Sequence, residues 1–135
     1  MKKYIVFITT LFCILMLMAC NKSDTSITIT SGNYKMELSQ EQQNGEKIAP
    51  VITINTDDKS FLFSYDVLSS YLTIGTYEVN GNVLIATTSD EKYHYVFEII
   101  DKNTFSFLEE QSSKITVFDT AFSVVPQNGA VFQKE

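Results

Sequence analysis

GTYEVNGNVLIATTSDEKYHYVFEIIDKNTFSF, residues 75–107, decides the fold. Tyr77 and Val79 alternate with polar neighbours and run into Asn80-Gly81, after which Val83, Ile85 and Thr87 take up the alternation again. A period of two sends successive side chains to opposite faces of a strand. An Asn-Gly pair between two such runs is a strong hairpin signal, because both central positions of a type I′ turn need positive φ. Ser89-Asp90-Glu91-Lys92 then turns the chain into its longest alternation, Tyr93, Tyr95, Phe97 and Ile99, and Asp101-Lys102-Asn103-Thr104 returns it through Phe105 and Phe107. Four strands joined by short turns make a meander.

The same period extends outward on both sides. Upstream, Ile52 and Ile54 face Phe61, Phe63 and Tyr65 across the turn cluster Thr56-Asp57-Asp58-Lys59, and Tyr34, Met36 and Leu38 form an earlier strand. The Gln, Glu, Asn and Gly run over 40–47 predicts an exposed loop. Residues 66–73 break the alternation and predict a helical turn or a loop packed on a barrel end. Downstream, 109–113 is polar and loops out, 115–117 and 122–125 read as short strands or buried loop, and Pro126-Gln127-Asn128-Gly129 turns the chain into a closing strand over 130–133. No internal repeat and no amphipathic helix longer than about three turns is present. The fold class expected is therefore all-β, a small antiparallel meander barrel or sandwich of about seven to nine strands. Closure is favoured because it hides strand edges; the competing architecture is an open sheet with one helix over 64–74.

The first 26 residues read differently. Lys2 and Lys3 precede an apolar run over 4–18, which ends in Leu17-Met18-Ala19-Cys20. This resembles a bacterial lipoprotein signal, in which a small residue precedes the cut and the cysteine after it is acylated. Met18 departs from the pattern, being bulkier than the usual residue there. The resemblance implies a cleaved signal peptide at 1–19, a lipidated Cys20 with a polar linker over 20–26, and a β domain over 27–135. A transmembrane anchor fits less well, since a span needs roughly 20 apolar residues and this run has 15. A conventional cut after Ala19 would leave an unpaired terminal thiol. Each buried lipid methylene contributes about 0.8 kcal/mol, so two or three acyl chains hold a small domain at a membrane where one does not.

Composition narrows the function. The chain carries ten Lys and no Arg against sixteen Asp and Glu, a net charge of −6, which becomes −8 once Lys2 and Lys3 are removed. Nucleic acid is excluded as a partner, because phosphate backbones are held by clustered Lys and Arg, and an acidic surface has no affinity for anionic headgroups. Of the two cysteines, Cys13 lies in the apolar run and Cys20 is the acylation candidate, which leaves no thiol for a disulfide, a thiolate metal site or a nucleophile. Ten Phe and seven Tyr, with no Trp, supply the bulk for one core.

Few residues suggest chemistry. His94, the only histidine, alternates with Val96 and Glu98 onto one face and could act as a base or ligand with Glu98; a surface cross-strand position is the ordinary role, since a metal wants three or more ligands and a base needs a reachable nucleophile. Ser89-Asp90-Glu91-Lys92 spells Ser-x-x-Lys, but in a turn and without the Ser-Asp-Asn and Lys-Thr-Gly partners that chemistry needs. The acidic pairs Asp57-Asp58, Asp90-Glu91 and Glu109-Glu110 sit in turns without a calcium-loop spacing. No catalytic residue, no metal site and no cofactor is expected. Tyr71, Tyr77, Tyr93 and Tyr95 are the candidate ligand-binding residues, because tyrosines with one apolar face and one hydroxyl line ligand mouths; a core stripe with its hydroxyls at the rim is the alternative.

Across residues 50–132, Ser69-Ser70-Tyr71-Leu72, Gly75-Thr76-Tyr77, Lys92-Tyr93 with Tyr95-Val96-Phe97, and Gly129-Ala130-Val131-Phe132 together resemble a small domain of lipoproteins from Gram-positive bacteria. They are similar also to a segment near the extracellular end of BlaR-type antirepressor membrane proteins. The resemblance implies an extracytoplasmic accessory or sensing module and carries over no catalytic residue. The expected function is a lipoprotein held at the outer face of the cell membrane through Cys20, a non-enzymatic module that binds an envelope protein or a small molecule. The rival is an envelope hydrolase using His94 with a nearby carboxylate or serine, and a purely structural envelope protein is a third reading.

Overall fold

In the computed structural model, which describes residues 27–135, the alternating segments pair into one sheet that closes on itself. Eight strands follow one another in chain order: β1 Gly32–Met36, β2 Val51–Asn55, β3 Ser60–Ser64, β4 Ile74–Asn80, β5 Val83–Thr88, β6 His94–Asp101, β7 Thr104–Phe107 and β8 Val131–Lys134. Each is antiparallel to the next, and β8 pairs back onto β1 through Lys35↔Gln133 and Met36↔Phe132. The fold is thus an up-and-down barrel, and neither the sandwich nor the open sheet forms. Residues 64–74 hold no helix; they are the end of β3, an irregular loop and the start of β4. The expected signal peptide at 1–19, the 20–26 linker and lipidation of Cys20 lie outside the described residues.

An eight-stranded barrel has an interior just wide enough for side chains to fill, and here aromatic rings fill it. Phe63 sits at the hub, with the rings of Tyr95, Phe97 and Phe132 centred 5.1, 5.6 and 5.9 Å away, each edge to face. Tyr34 stacks on Phe105 at 4.1 Å. Each such ring contributes about 1.5–3 kcal/mol by leaving water, and none of these six is more than 1 % exposed.

Three local expectations change. The Gln-rich stretch after β1 is not all loop: α1, Gln40–Asn44, forms there because Ser39 accepts from the Gln42 N–H while the Gln42 side chain accepts from the Ser39 N–H. That reciprocal Ser-x-x-Gln cap satisfies two otherwise unpaired donors. The β4–β5 hairpin forms one residue out of the expected phase. Asn80 pairs with Val83, so the loop is Gly81-Asn82, and of the two only Gly81 has positive φ, +64°; this fits a II′ turn, with glycine first, rather than I′. A two-residue loop also sets odd positions opposite even ones. Tyr77 and Val79 therefore face Ala86 and Leu84, and the inward residues of β5 are Leu84, Ala86 and Thr88 instead of Val83, Ile85 and Thr87.

Meander topology sorts the connections to two ends. The turns 56–59, 81–82 and 102–103 lie at one end with the segment 27–31. There Ile29 plugs the barrel, the Tyr34 hydroxyl bonds the carbonyls of Thr30 and Lys102 at 2.7 and 3.0 Å, and Lys134 Nζ reaches Thr30 Oγ1 at 2.9 Å. The connections 37–50, 65–73, 89–93 and 108–130 all lie at the opposite end. The longest lowers Ile115 and Val124 into the core as a lid, so 115–117 and 122–125 are loop that buries Ile115, Ser123 and Val124 and leaves Thr116 and Phe122 exposed, apart from one parallel bridge between Ile48 and Ser123.

Candidate functional site

The four tyrosines do not form one site. Tyr77 and Tyr95 point inward on β4 and β6 and are 7 % and 1 % exposed. Burial pushes the Tyr95 phenol far up, and its hydroxyl lies 3.2 Å from that of Tyr65; it stays protonated and serves as a core contact. Tyr71 and Tyr93, each 38 % exposed, meet edge to face at 5.6 Å on the loop end. Tyr71 donates to Asp90 Oδ1 at 2.9 Å, and the same oxygen takes the Thr88 hydroxyl at 2.8 Å and the Lys92 N–H at 3.2 Å. Led by the Thr88 bond, these donors hold Asp90 down at about 2. Two of the four expected ligand residues are therefore a rim pair beside an ionised carboxylate, and two are core.

His94 does not meet Glu98. The Glu98 carboxylate accepts from Asn82 Nδ2 at 3.0 Å, whereas His94 Nδ1 lies 3.4 Å from Ser113 Oγ. That serine is occupied in holding the lid connection along β6: it accepts from the His94 N–H at 3.0 Å, and its own N–H donates to the His94 carbonyl at 2.8 Å. Among the described residues no carboxylate bonds the imidazole, so the orienting third group of a hydrolytic triad is missing from this pair. Ser89 donates to the Ile74 carbonyl at 3.2 Å and Lys92 pairs with Asp90 at 3.4 Å, which makes the Ser-x-x-Lys stretch a turn. Three other acids brace turns and loops as well. Asp58 accepts from the Ser60 N–H, Asp101 from that of Asn103, and Glu109 exchanges bonds with Asn128. No group of His, Cys, Asp and Glu among the described residues could hold a metal ion, and no helix there is long and apolar enough to cross a membrane.

What the sequence reading passed over is Asp66. At the start of the β3–β4 loop it accepts the N–H groups of Leu68, Phe118 and Asp119. The Phe118 bond leads in holding its carboxyl below the usual carboxylate range. Asp119, buried, accepts in turn from Ala121 and Phe122 at 2.9 and 3.1 Å, and Lys47 Nζ caps the carbonyls of Thr120 and Ala121 at 3.1 and 2.7 Å. Three connections are thereby stitched into one surface, two by backbone N–H groups donating to Asp66 and the third by the Lys47 ammonium, and apolar side chains stand outward from it.

All the exposed large hydrophobics of the described residues lie at this end except Ile100. Val67, Leu68 and Leu72 project from the β3–β4 loop, Phe118 and Phe122 from the lid, and Ile48 from the β1–β2 connection; Phe118 is 77 %, Leu72 69 % and Leu68 68 % exposed. Beside them runs an open groove. A hollow of about 640 Å³ between α1 and β2 and another of about 350 Å³ reaching Val67 share Ile48, Ala49 and Val51. Compared with known proteins, the chain matches no protein-family model, no curated protein and no solved structure.

Proposed function

We propose that this chain is a lipid-anchored extracytoplasmic module that binds a partner through the loop end of its barrel and does no chemistry of its own. The observation that carries this reading is the concentration of exposed apolar side chains at one end of a barrel whose interior is already filled. Isolated surface hydrophobics are ordinary; a set gathered on stitched loops marks an interaction site. A packed interior leaves no lumen for a ligand, unlike the wider barrels that hold one.

The anchoring half rests on residues 1–20 and on the end of the barrel at which segment 27–31 sits. Segment 27–31 is fixed at the turn end by Tyr34, Lys102 and Lys134. Seven residues, 20–26, span at most about 25 Å when extended, so a lipid on Cys20 tethers the barrel by its turn end and leaves the loop end facing away from the bilayer. The resemblance to a lipoprotein and BlaR-type sensing segment agrees with that disposition.

The test combines mass spectrometry with cross-linking in the producing cell. The mature amino terminus is expected to begin at an acylated Cys20, and a photo-reactive residue at position 118 is expected to cross-link a partner that one at position 100, on the barrel wall, does not. An unprocessed terminus, or equal labelling from both positions, overturns the reading.

A further inference from the structure

We infer that the partner met by the loop end is a protein segment with an apolar face flanked by Lys and Arg; this rests on the binding reading above and specifies its chemistry. Charge is the deciding observation. The connections 37–50, 65–73, 89–93 and 108–130 carry nine Asp and Glu against three Lys, a net −6, whereas the remaining described residues carry six Asp and Glu against four Lys, a net −2. Two of the three loop-end lysines are already engaged, Lys47 by carbonyls of the lid and Lys92 by Asp90. The carboxylates of Asp66 and Asp90 are fixed in position by the hydrogen bonds that build the surface, so the fold sets where these two negative charges lie.

That field selects among occupants for the apolar rim and groove. A second copy would bring two faces of like charge together, and anionic headgroups or a polyanion would meet the same repulsion. A cationic amphipathic segment gains on both counts. Its apolar side chains enter the groove floored by Ile48, Ala49 and Val51, whose two lysines, Lys35 and Lys47, are held by Glu135 and by lid carbonyls, and cover Val67 and Phe118, while its flanking cations meet Asp66 at the groove's far end and the carboxylates of the other loops. An amphipathic helix laid in such a groove is a standard mode of peptide recognition.

The test uses the full chain in phosphatidylcholine nanodiscs, with empty discs as the blank, and a dye-labelled amphipathic peptide of Lys and Leu followed by fluorescence anisotropy. Saturable binding is expected, weakening about tenfold or more between ~50 and ~500 mM salt as screening grows. A peptide of the same pattern with Glu in place of Lys should bind at least about tenfold more weakly. Val67→Ser and Phe118→Ser, both at exposed positions, should each weaken binding about threefold or more with the unfolding midpoint unchanged. Equal binding of the Glu peptide, indifference to both substitutions, or absence of saturable binding overturns the inference. So does a loop-end-dependent dimer in sedimentation, or loop-end-dependent retention on anionic vesicles. A partner cross-linked from position 118 in the cell together with a failed titration removes the cationic chemistry and leaves the binding reading standing.

Discussion

Replacing Gly75 with alanine tests whether the close approach of β4 to β5 sets the geometry of the loop end. A Cβ added at Gly75 would lie 2.0 Å from the Thr87 carbonyl oxygen and 2.8 Å from the Thr88 Cα, both backbone atoms, where ordinary contact begins at 3.4 Å. The strands must therefore part by about 1.4 Å, which carries the 2.9 Å bond from the Ser89 N–H to the Ile74 carbonyl beyond hydrogen-bonding distance and disturbs the Gly75↔Thr88 pairing. Two lost hydrogen bonds cost about 1 kcal/mol each. Overpacking adds about 1–3 kcal/mol, and the stiffer unfolded chain returns about 0.4–1. The net expectation is destabilisation by about 2–4.5 kcal/mol, read as a lower urea midpoint at an unchanged slope. Gly81→Ala is the control. Nothing lies within 4 Å of that position and only its φ of +64° is strained, so it should cost about 1–2 kcal/mol. A Gly75→Ala loss below about 1 kcal/mol, or one smaller than that of Gly81→Ala, refutes the reasoning.

Four further outcomes are expected. Tyr34→Phe should destabilise by about 1–3 kcal/mol, because it leaves the Thr30 carbonyl without its side-chain donor and the Lys102 carbonyl with only the Thr30 hydroxyl at 3.3 Å, and amide exchange should quicken in 27–31 before the strands; uniform protection would contradict this. Asp66 and Asp90 have carboxyls depressed in the fold, so their contribution is complete above the unfolded value near 3.9 and is lost as pH falls through the folded value, about 2 for Asp90. Stability measured downward from pH 5 should fall over that window, and Asp66→Asn should flatten part of the fall. His94→Gln should leave both folding and partner cross-linking unchanged, whereas loss of function in a folded variant would favour the hydrolase. Phe63→Ala should cost about 3–5 kcal/mol in a urea titration, since five other rings pack on it; a loss under about 1 kcal/mol would mean the hub is not packed as described.

The local sequence determined the strands. Tyr95, Phe97 and Ile99, or Ile52 and Ile54, declare their faces through spacing alone, because alternation is a property of each strand's own backbone. Where a strand is apolar on both faces, as over Val83-Leu84-Ile85-Ala86, spacing is silent, and the pairing partner chose the inward side. The Ser39-Gln42 cap was legible too, being a local motif, and was hidden only by the polar composition around it.

The functional end was decided by tertiary structure. Tyr71, Tyr77, Tyr93 and Tyr95 look alike in sequence, yet the closing of the barrel buried two and left two on its rim. Asp66 draws its donors from Phe118 and Asp119, more than fifty residues away, and no spacing rule reaches across that distance. Chain order told only that connections alternate. It took closure of β8 onto β1 to gather the four longest connections around one mouth, and long-range hydrogen bonds to Asp66 and from Lys47 to stitch them into one surface.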